Sequence, residues 1–154
     1  AIKTSDSWPA GLFHGYLRDG ALVTDAFRNG WYYTGDTASR DADGYLWFVG
    51  RSDDLISSAG YRISPFEVES ALLEHDKIME SAVIGVPDQT RGQLVKAYII
   101  LADGVEGSDA LAAEIQEFCK NLTAPYKYPR EIEFEETLPK TISGKIRRVA
   151  LRET

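Results

Sequence analysis

Leu55-Ile56-Ser57-Ser58-Ala59-Gly60-Tyr61-Arg62-Ile63-Ser64-Pro65-Phe66-Glu67-Val68-Glu69 is the stretch that decides how the chain is read. Leu55-Ile56 has the composition of a short strand, Ser57 to Gly60 that of a small-residue loop, and Tyr61-Arg62-Ile63 that of another short strand. Ser64 then stands as an N-cap, with Pro65 at the first helical position and Glu67 at the third, so a helix starts here. Phe66, Val68 or Glu69, Leu72 and Leu73 carry it at helical spacing to about Glu74. Downstream, Met79 to Val86 and Leu94 to Ala102 read as buried strands that stop at Pro87-Asp88 and Asp103-Gly104. Ser108-Asp109 caps an amphipathic helix with Leu111, Ile115, Phe118 and Leu122 along one face. Glu131 to Glu135 alternates charge with Ile132 and Phe134, as a strand with one wet face does, and a last helix spans Lys145 to Arg152. The order predicts a compact α+β domain from about Leu55 onward, with a central three-stranded sheet and flanking helices.

Upstream the texture changes. Pro9-Ala10-Gly11, Asp19-Gly20 and Asn29-Gly30 are turn signals in an irregular stretch with no strand or helix signal before Trp8. Trp31 to Thr34 is strand-like and stops at Gly35-Asp36; Asp41 to Gly44 is a hairpin turn leading into the apolar strand Tyr45 to Val49. The polar run Arg51-Ser52-Asp53-Asp54 separates this β-rich piece from the α+β domain, which places a boundary between residues 1–52 and 53–154.

Composition narrows the function. The chain has 154 residues, 44% of them hydrophobic, enough for a packed core and too apolar for disorder. Its formal net charge of -7 argues against nucleic acid or an anionic membrane surface as the partner. Cys119 is the single cysteine and His14 and His75 are far apart, so neither a disulfide framework nor a metal site is expected; a reducing, cytoplasmic setting is. No apolar run has the length of a membrane span. A chain that begins at Ala1 without a signal peptide reads as an interior piece of a longer one.

Against this acidic background, Pro139-Lys140-Thr141-Ile142-Ser143-Gly144-Lys145-Ile146-Arg147-Arg148 carries two lysines and two arginines. A Thr-x-Ser-Gly turn can hold a loop out from the domain, with Gly144 supplying backbone freedom just before Lys145. Such a lysine can be delivered to a phosphate or carboxylate; a solvated basic tail is the alternative.

These pieces have an order. Tyr33-Thr34-Gly35-Asp36, Asp43-Gly44-Tyr45, Gly50-Arg51-Ser52-Asp53-Asp54, Gly60 to Glu69 and Pro139 to Arg147 resemble, in sequence, the C-terminal motifs of the adenylate-forming superfamily of acyl-CoA synthetases, adenylation domains and luciferases. Arg91-Gly92 and Thr123 to Phe134 most resemble medium-chain acyl-CoA synthetases. The resemblance implies the last β-rich segment of the large AMP-binding domain followed by the complete small C-terminal domain. Its phosphate loop, adenine pocket and acyl pocket would lie upstream of Ala1. The implied reaction joins a carboxylic acid to CoA with ATP, giving AMP and pyrophosphate. The implied ligands are ATP/AMP, CoA and Mg²⁺, the last on ATP and held by no residue of this chain. The partner would be the protein's own N-terminal domain, and the isolated chain would be inactive. An adenylation enzyme that loads a carrier-protein phosphopantetheine and a non-catalytic binding module are the other readings.

The same resemblance implies roles for single residues. Asp36 would accept hydrogen bonds from ribose hydroxyls, or simply form a turn. Arg51 would meet the ribose or α-phosphate, where a guanidinium fork suits anionic oxygens, or pair with Asp53 or Asp54. Asp53 would be the hinge about which the small domain turns between two orientations. Gly60, Tyr61 and Arg62 would form the face presented for thioester formation, Gly60 letting a pantetheine arm pass close to the backbone. Arg91 and Lys127 would take the phosphates of CoA. Lys145 would be the catalytic residue, bridging carboxylate and phosphate oxygens while acyl-AMP forms.

Overall fold

The computed structural model describes residues 1–153 and divides the chain into two compact units, 1–53 and 54–154. The first is assembled from short strands: β1 (Ile2–Lys3), β2 (Tyr16–Arg18), β3 (Ala21–Val23), β4 (Phe27–Arg28), β5 (Trp31–Tyr32), β6 (Asp36–Arg40) and β7 (Leu46–Arg51). Turn chemistry places most of them. Asp19-Gly20 and Asn29-Gly30 all have positive φ (50°, 78°, 54° and 76°), the two-residue geometry that closes the β2–β3 and β4–β5 hairpins. Five strands escape the sequence reading: β2, β3 and β4 lie in the stretch that reads as irregular, and β1 and β6 carry no strand signal of their own. β1, where no strand signal was expected, exists because Ile2 and Lys3 pair with Tyr32 and Trp31. β6 is polar and is made a strand by its ladder to β7, which opposes Asp36 to Arg51 and Arg40 to Leu46. Inside, Phe27 stacks on Tyr32 at 4.8 Å and on Trp8 at 5.2 Å. Among the described residues Tyr32 is the one buried apolar side chain of this unit.

The second unit holds β8 (Ile56–Ser58), β9 (Tyr61–Ile63), α1 (Pro65–Leu72), β10 (Ile78–Asp88), β11 (Gly92–Leu101), α2 (Asp109–Leu122), β12 (Glu131–Phe134) and α3 (Arg148–Arg152). Both long helices start where their caps dictate: Ser64 Oγ accepts from the Glu67 N–H at 3.4 Å, and Ser108 Oγ from the Leu111 N–H at 3.2 Å. β11 organises the sheet. β10 runs antiparallel along one edge, from Gly92 opposite Asp88 to Leu101 opposite Ile78. The other edge takes β8 at Gly92 and, in parallel, β12 over Lys96 to Ile99. The three-stranded core is thus β10–β11–β12, and the β8–β9 hairpin extends the sheet to five strands.

Both faces of that sheet are covered, which explains why its central strands read as apolar runs. Val95, Ala97 and Ile99 meet Val68 and Leu72 of α1 and Leu111, Ile115 and Cys119 of α2. The alternate positions Tyr98 and Ile100 join Ala82, Ile84, Leu138 and Leu151, the last on α3. Each fully buried Ile or Leu contributes about 1.5–3 kcal/mol. The stripe of α2 differs from the expected one: Cys119 lies inside at 0% exposure, whereas Leu122 is 47% exposed. Burial pushes the Cys119 thiol up. The last helix is shorter than the sequence suggests, beginning at Arg148, because Thr141 to Ile146 is spent on a loop. No helix among the described residues is long and apolar enough to cross a membrane.

Candidate functional site

At the end of unit 1 the chain gathers Asp36, Arg51 and Asp53. Gly35 has φ +78°, and a Cβ there would lie 2.8 Å from two Arg51 nitrogens, so only glycine lets the guanidinium lie across this turn. Arg51 grips Asp53 with both arms of its fork, Nε to Oδ1 at 3.0 Å and one terminal nitrogen to Oδ2 at 3.2 Å. Its other terminal nitrogen donates to the Thr34 carbonyl at 3.1 Å and lies 3.7 Å from Asp36 Oδ1. Asp53 is one of the two ion-pair partners that the sequence offers Arg51. Ser52 ties the turn from the other side, its N–H and hydroxyl both donating to the Gly35 carbonyl. The Asp36 carboxylate keeps 43% of its side-chain surface exposed.

In unit 2, the loop expected over Ser57 to Gly60 is tighter than its composition suggests. Ser57 and Ser58 belong to β8, and Ala59-Gly60 alone makes the turn, with φ of 48° and 85°. The Ala59 N–H donates to the Arg91 carbonyl at 2.9 Å, which ties this tip to the β10–β11 connection. There Asp88 Oδ1 accepts the N–H groups of Thr90 and Arg91. Around Gly60 a Cβ would meet nothing within 4 Å, so the approach to its backbone is open. Tyr61 stacks flat on Tyr126, with ring centroids 4.0 Å apart. The neighbouring Lys127 is paired with Glu67 of α1, and its side chain is only 19% exposed. Arg62, between Ser57 on its partner strand and solvent, is exposed. The structure therefore brings Gly60, Tyr61, Arg62, Arg91 and Lys127 to one end of the sheet.

Lys145 stands at the other end. Thr141 organises its loop: the Thr141 N–H donates to the Lys145 carbonyl at 2.8 Å, and Thr141 Oγ1 accepts the Lys145 N–H at 3.1 Å. Gly144 supplies the positive φ (+81°) that closes the loop. Lys140 and Ile146 bridge at its base, and the Lys140 ammonium reaches Glu80 of β10 at 2.8 Å. Ile142 at the tip is fully exposed, and no carboxylate among the described residues pairs with Lys145. Glu80 lies opposite Ile100 of β11, whereas Ser58 beside the hairpin tip lies opposite Gly92. Eight strand residues, about 27 Å, separate the two anchor points.

Residues 67–145 match the model of the AMP-binding enzyme C-terminal domain, about half of the chain. The chain belongs to this family. It is 60% identical over 144 residues to 4-hydroxybutyrate–CoA ligase 1 of Metallosphaera sedula, an alignment covering 94% of this chain and 25% of that protein. It is 53% identical over 156 residues to the mitochondrial acyl-coenzyme A synthetase ACSM4 of Rattus norvegicus, covering 99% and 27%. Among solved structures, the anthranilate CoA ligase AuaEII in complex with anthranoyl-AMP superposes with a TM-score of 0.75 at 48% identity, over 83% of this chain and 25% of that one. The chain spans about a quarter of the length of the curated relatives it matches.

This AMP-binding C-terminal domain also holds a cluster that the sequence reading missed. Glu69, buried on α1, accepts the Val83 N–H at 2.8 Å and takes Arg148 at 2.8 and 2.6 Å. Asp54 takes the other arm of Arg148 at 3.6 Å and Arg152 at 2.6 Å. The available signal was Glu69 itself: it shares helical spacing with apolar residues, and a carboxylate on a buried face requires a cation.

Proposed function

We propose that the chain works as the C-terminal portion of an ATP-dependent, AMP-forming acyl-CoA synthetase. A carboxylate oxygen attacks the α-phosphorus of ATP, the bond to the pyrophosphate oxygen breaks, and acyl-AMP and pyrophosphate result. The sulfur of CoA then attacks the acyl carbon, its proton is released, and AMP leaves. Lys145 serves the first step: an ammonium at the carboxylate and phosphate oxygens stabilises charge that grows in the transition state, a contact worth about 10²–10³ in rate. Asp36 and Arg51 address the ribose and α-phosphate, Arg51 by trading Asp53 for anionic oxygens of the nucleotide. Gly60, Tyr61 and Arg62 face the incoming thiol in the second step, and Arg91 and Lys127 take the phosphates of CoA. Mg²⁺ accompanies ATP without ligands from this chain. Asp53 is the hinge, residues 1–52 belong to the large AMP-binding domain, and the rest of that domain is the chain's partner. A medium-chain fatty acid and a cytoplasmic setting complete the reading.

The supporting observation is the separation along β11. One compact unit carries an exposed lysine loop at one end and an open hairpin turn among cations at the other. A single pivot can present either end to one reaction centre, but never both together. The whole enzyme tests this with ATP, Mg²⁺, a ladder of carboxylic acids and either free CoA or a phosphopantetheinyl carrier protein. Accumulation of acyl-CoA from free CoA is expected, with a maximum at medium chain length. Acyl-AMP that forms but ignores free CoA and loads the carrier would overturn the synthetase reading and the roles given to Arg91 and Lys127.

A further inference from the structure

Asp53 and Asp54 are neighbours in sequence and are held in different places. Asp53 is gripped by Arg51 within residues 1–53. Asp54 is held within residues 54–153 by Arg152 at 2.6 Å and Arg148 at 3.6 Å, and only 18% of its side chain is exposed. Arg148 is itself fixed, because two contacts bind it to the buried Glu69 of α1, whose Oε1 also accepts a backbone N–H of β10. Each residue flanking the 53–54 link therefore has its own anchor. The anchor for Asp54 is α3, and Lys145 precedes the first residue of α3 by only three positions. The Arg147 N–H bonded to the Pro139 carbonyl at 2.8 Å leaves little slack in between.

We infer that Arg148 and Arg152, acting through Asp54, are positioning residues for Lys145: they fasten the moving end of the pivot to the short helix that carries the lysine loop. The inference rests on the catalytic role given to Lys145 above. A turn at the 53–54 link is then transmitted to Lys145 as a rigid rotation. Without the clamp the first residues of the unit give way, and the lysine arrives with an error. A displacement of about an ångström at a reacting centre is enough to cost up to roughly 10²-fold in rate.

The test uses the whole enzyme carrying Asp54→Asn, Arg152→Gln, Lys145→Ala and the two double variants with Lys145→Ala. Acyl-AMP formation and thioester formation from supplied acyl-AMP are followed separately. Asp54→Asn is expected to lower kcat for acyl-AMP formation about ten- to hundredfold, with KM for ATP nearly unchanged. Arg152→Gln should do the same more weakly, and the thioester step should be spared. In the Lys145→Ala background both losses should vanish, since a residue acting through Lys145 has nothing left to position. Losses that multiply with Lys145→Ala, or that fall equally on both steps, would overturn the inference and leave the role of Lys145 standing. So would an Asp54→Asn enzyme of normal rate. If Lys145→Ala alone forms acyl-AMP at the normal rate, the underlying reading fails and the inference goes with it. Should Asp54→Asn not fold, Arg152→Gln answers the same questions, since its side chain lies nearer the surface at 35% exposure.

Discussion

In β7, Leu46, Trp47 and Phe48 are 74%, 60% and 56% exposed, whereas in β11 Val95, Ala97 and Ile99 are exposed by 1% or less. Both strands are apolar runs in sequence, and the two units use them differently. Residues 54–153 close a two-faced core around β11. Residues 1–53 are held by tight turns, short ladders and stacked aromatic rings, with their most apolar strand open to solvent. In the proposed reading, the remainder of the large domain covers this exposed apolar strand.

The sharpest way to break this contrast is to separate the units. A chain of residues 54–153 is expected to unfold in one cooperative transition, and a chain of 1–53 to show none, as followed by near-ultraviolet circular dichroism. Cooperative unfolding of 1–53 alone would remove the contrast. Within the full chain, Ile115→Ala empties a fully buried site and should cost about 2–5 kcal/mol in urea unfolding. Leu46→Ala, already in solvent, should change stability by no more than about 0.5 kcal/mol. Gly35→Ala probes the site on unit 1: it meets both a positive φ and the Arg51 guanidinium, so a cost of about 1–3 kcal/mol is expected. Gly60→Ala meets only the backbone cost, about 1–2 kcal/mol.

The smallest effect is one of pH. Asp41 Oδ2 accepts the Trp47 indole N–H at 2.7 Å, and this bond above all, with the Tyr45 and Asp43 N–H groups, holds its carboxyl below the usual carboxylate range. The turn's contribution is therefore present above the ordinary carboxylate pKa and is lost as pH falls through the lowered one. Trp47 fluorescence should shift only in that acid window, and Asp41→Asn should abolish the shift; an unchanged titration would contradict the assignment.

What the sequence made legible was local. The caps at Ser64 and Ser108, the turns at Asp19-Gly20 and Asn29-Gly30, and the apolar runs of β10 and β11 each show within a few residues. Elements that exist only through distant pairing were silent: β1 needs β5, and β6 needs β7. The site divides in the same way. The Lys145 loop announces itself through Thr141, Gly144 and the basic residues around them. Lys127 meets Glu67 across 60 positions and Arg148 meets Glu69 across 79, and no spacing rule links charges that far apart. The pairing of Arg51 with Asp53 was open to the sequence, but the Gly35 turn on which its guanidinium lies shows only in three dimensions.

The most direct measurement pairs Lys145→Ala with Tyr61→Ala in the whole enzyme and reads the two half-reactions apart. Opposite defects are expected. Lys145→Ala should lose about 10²–10³ in acyl-AMP formation while converting supplied acyl-AMP to thioester within about threefold of normal. Tyr61→Ala should form acyl-AMP normally and falter at the thioester. If both variants damage the same step, or Lys145→Ala leaves acyl-AMP formation untouched, the two ends of β11 do not serve two half-reactions and the account is wrong.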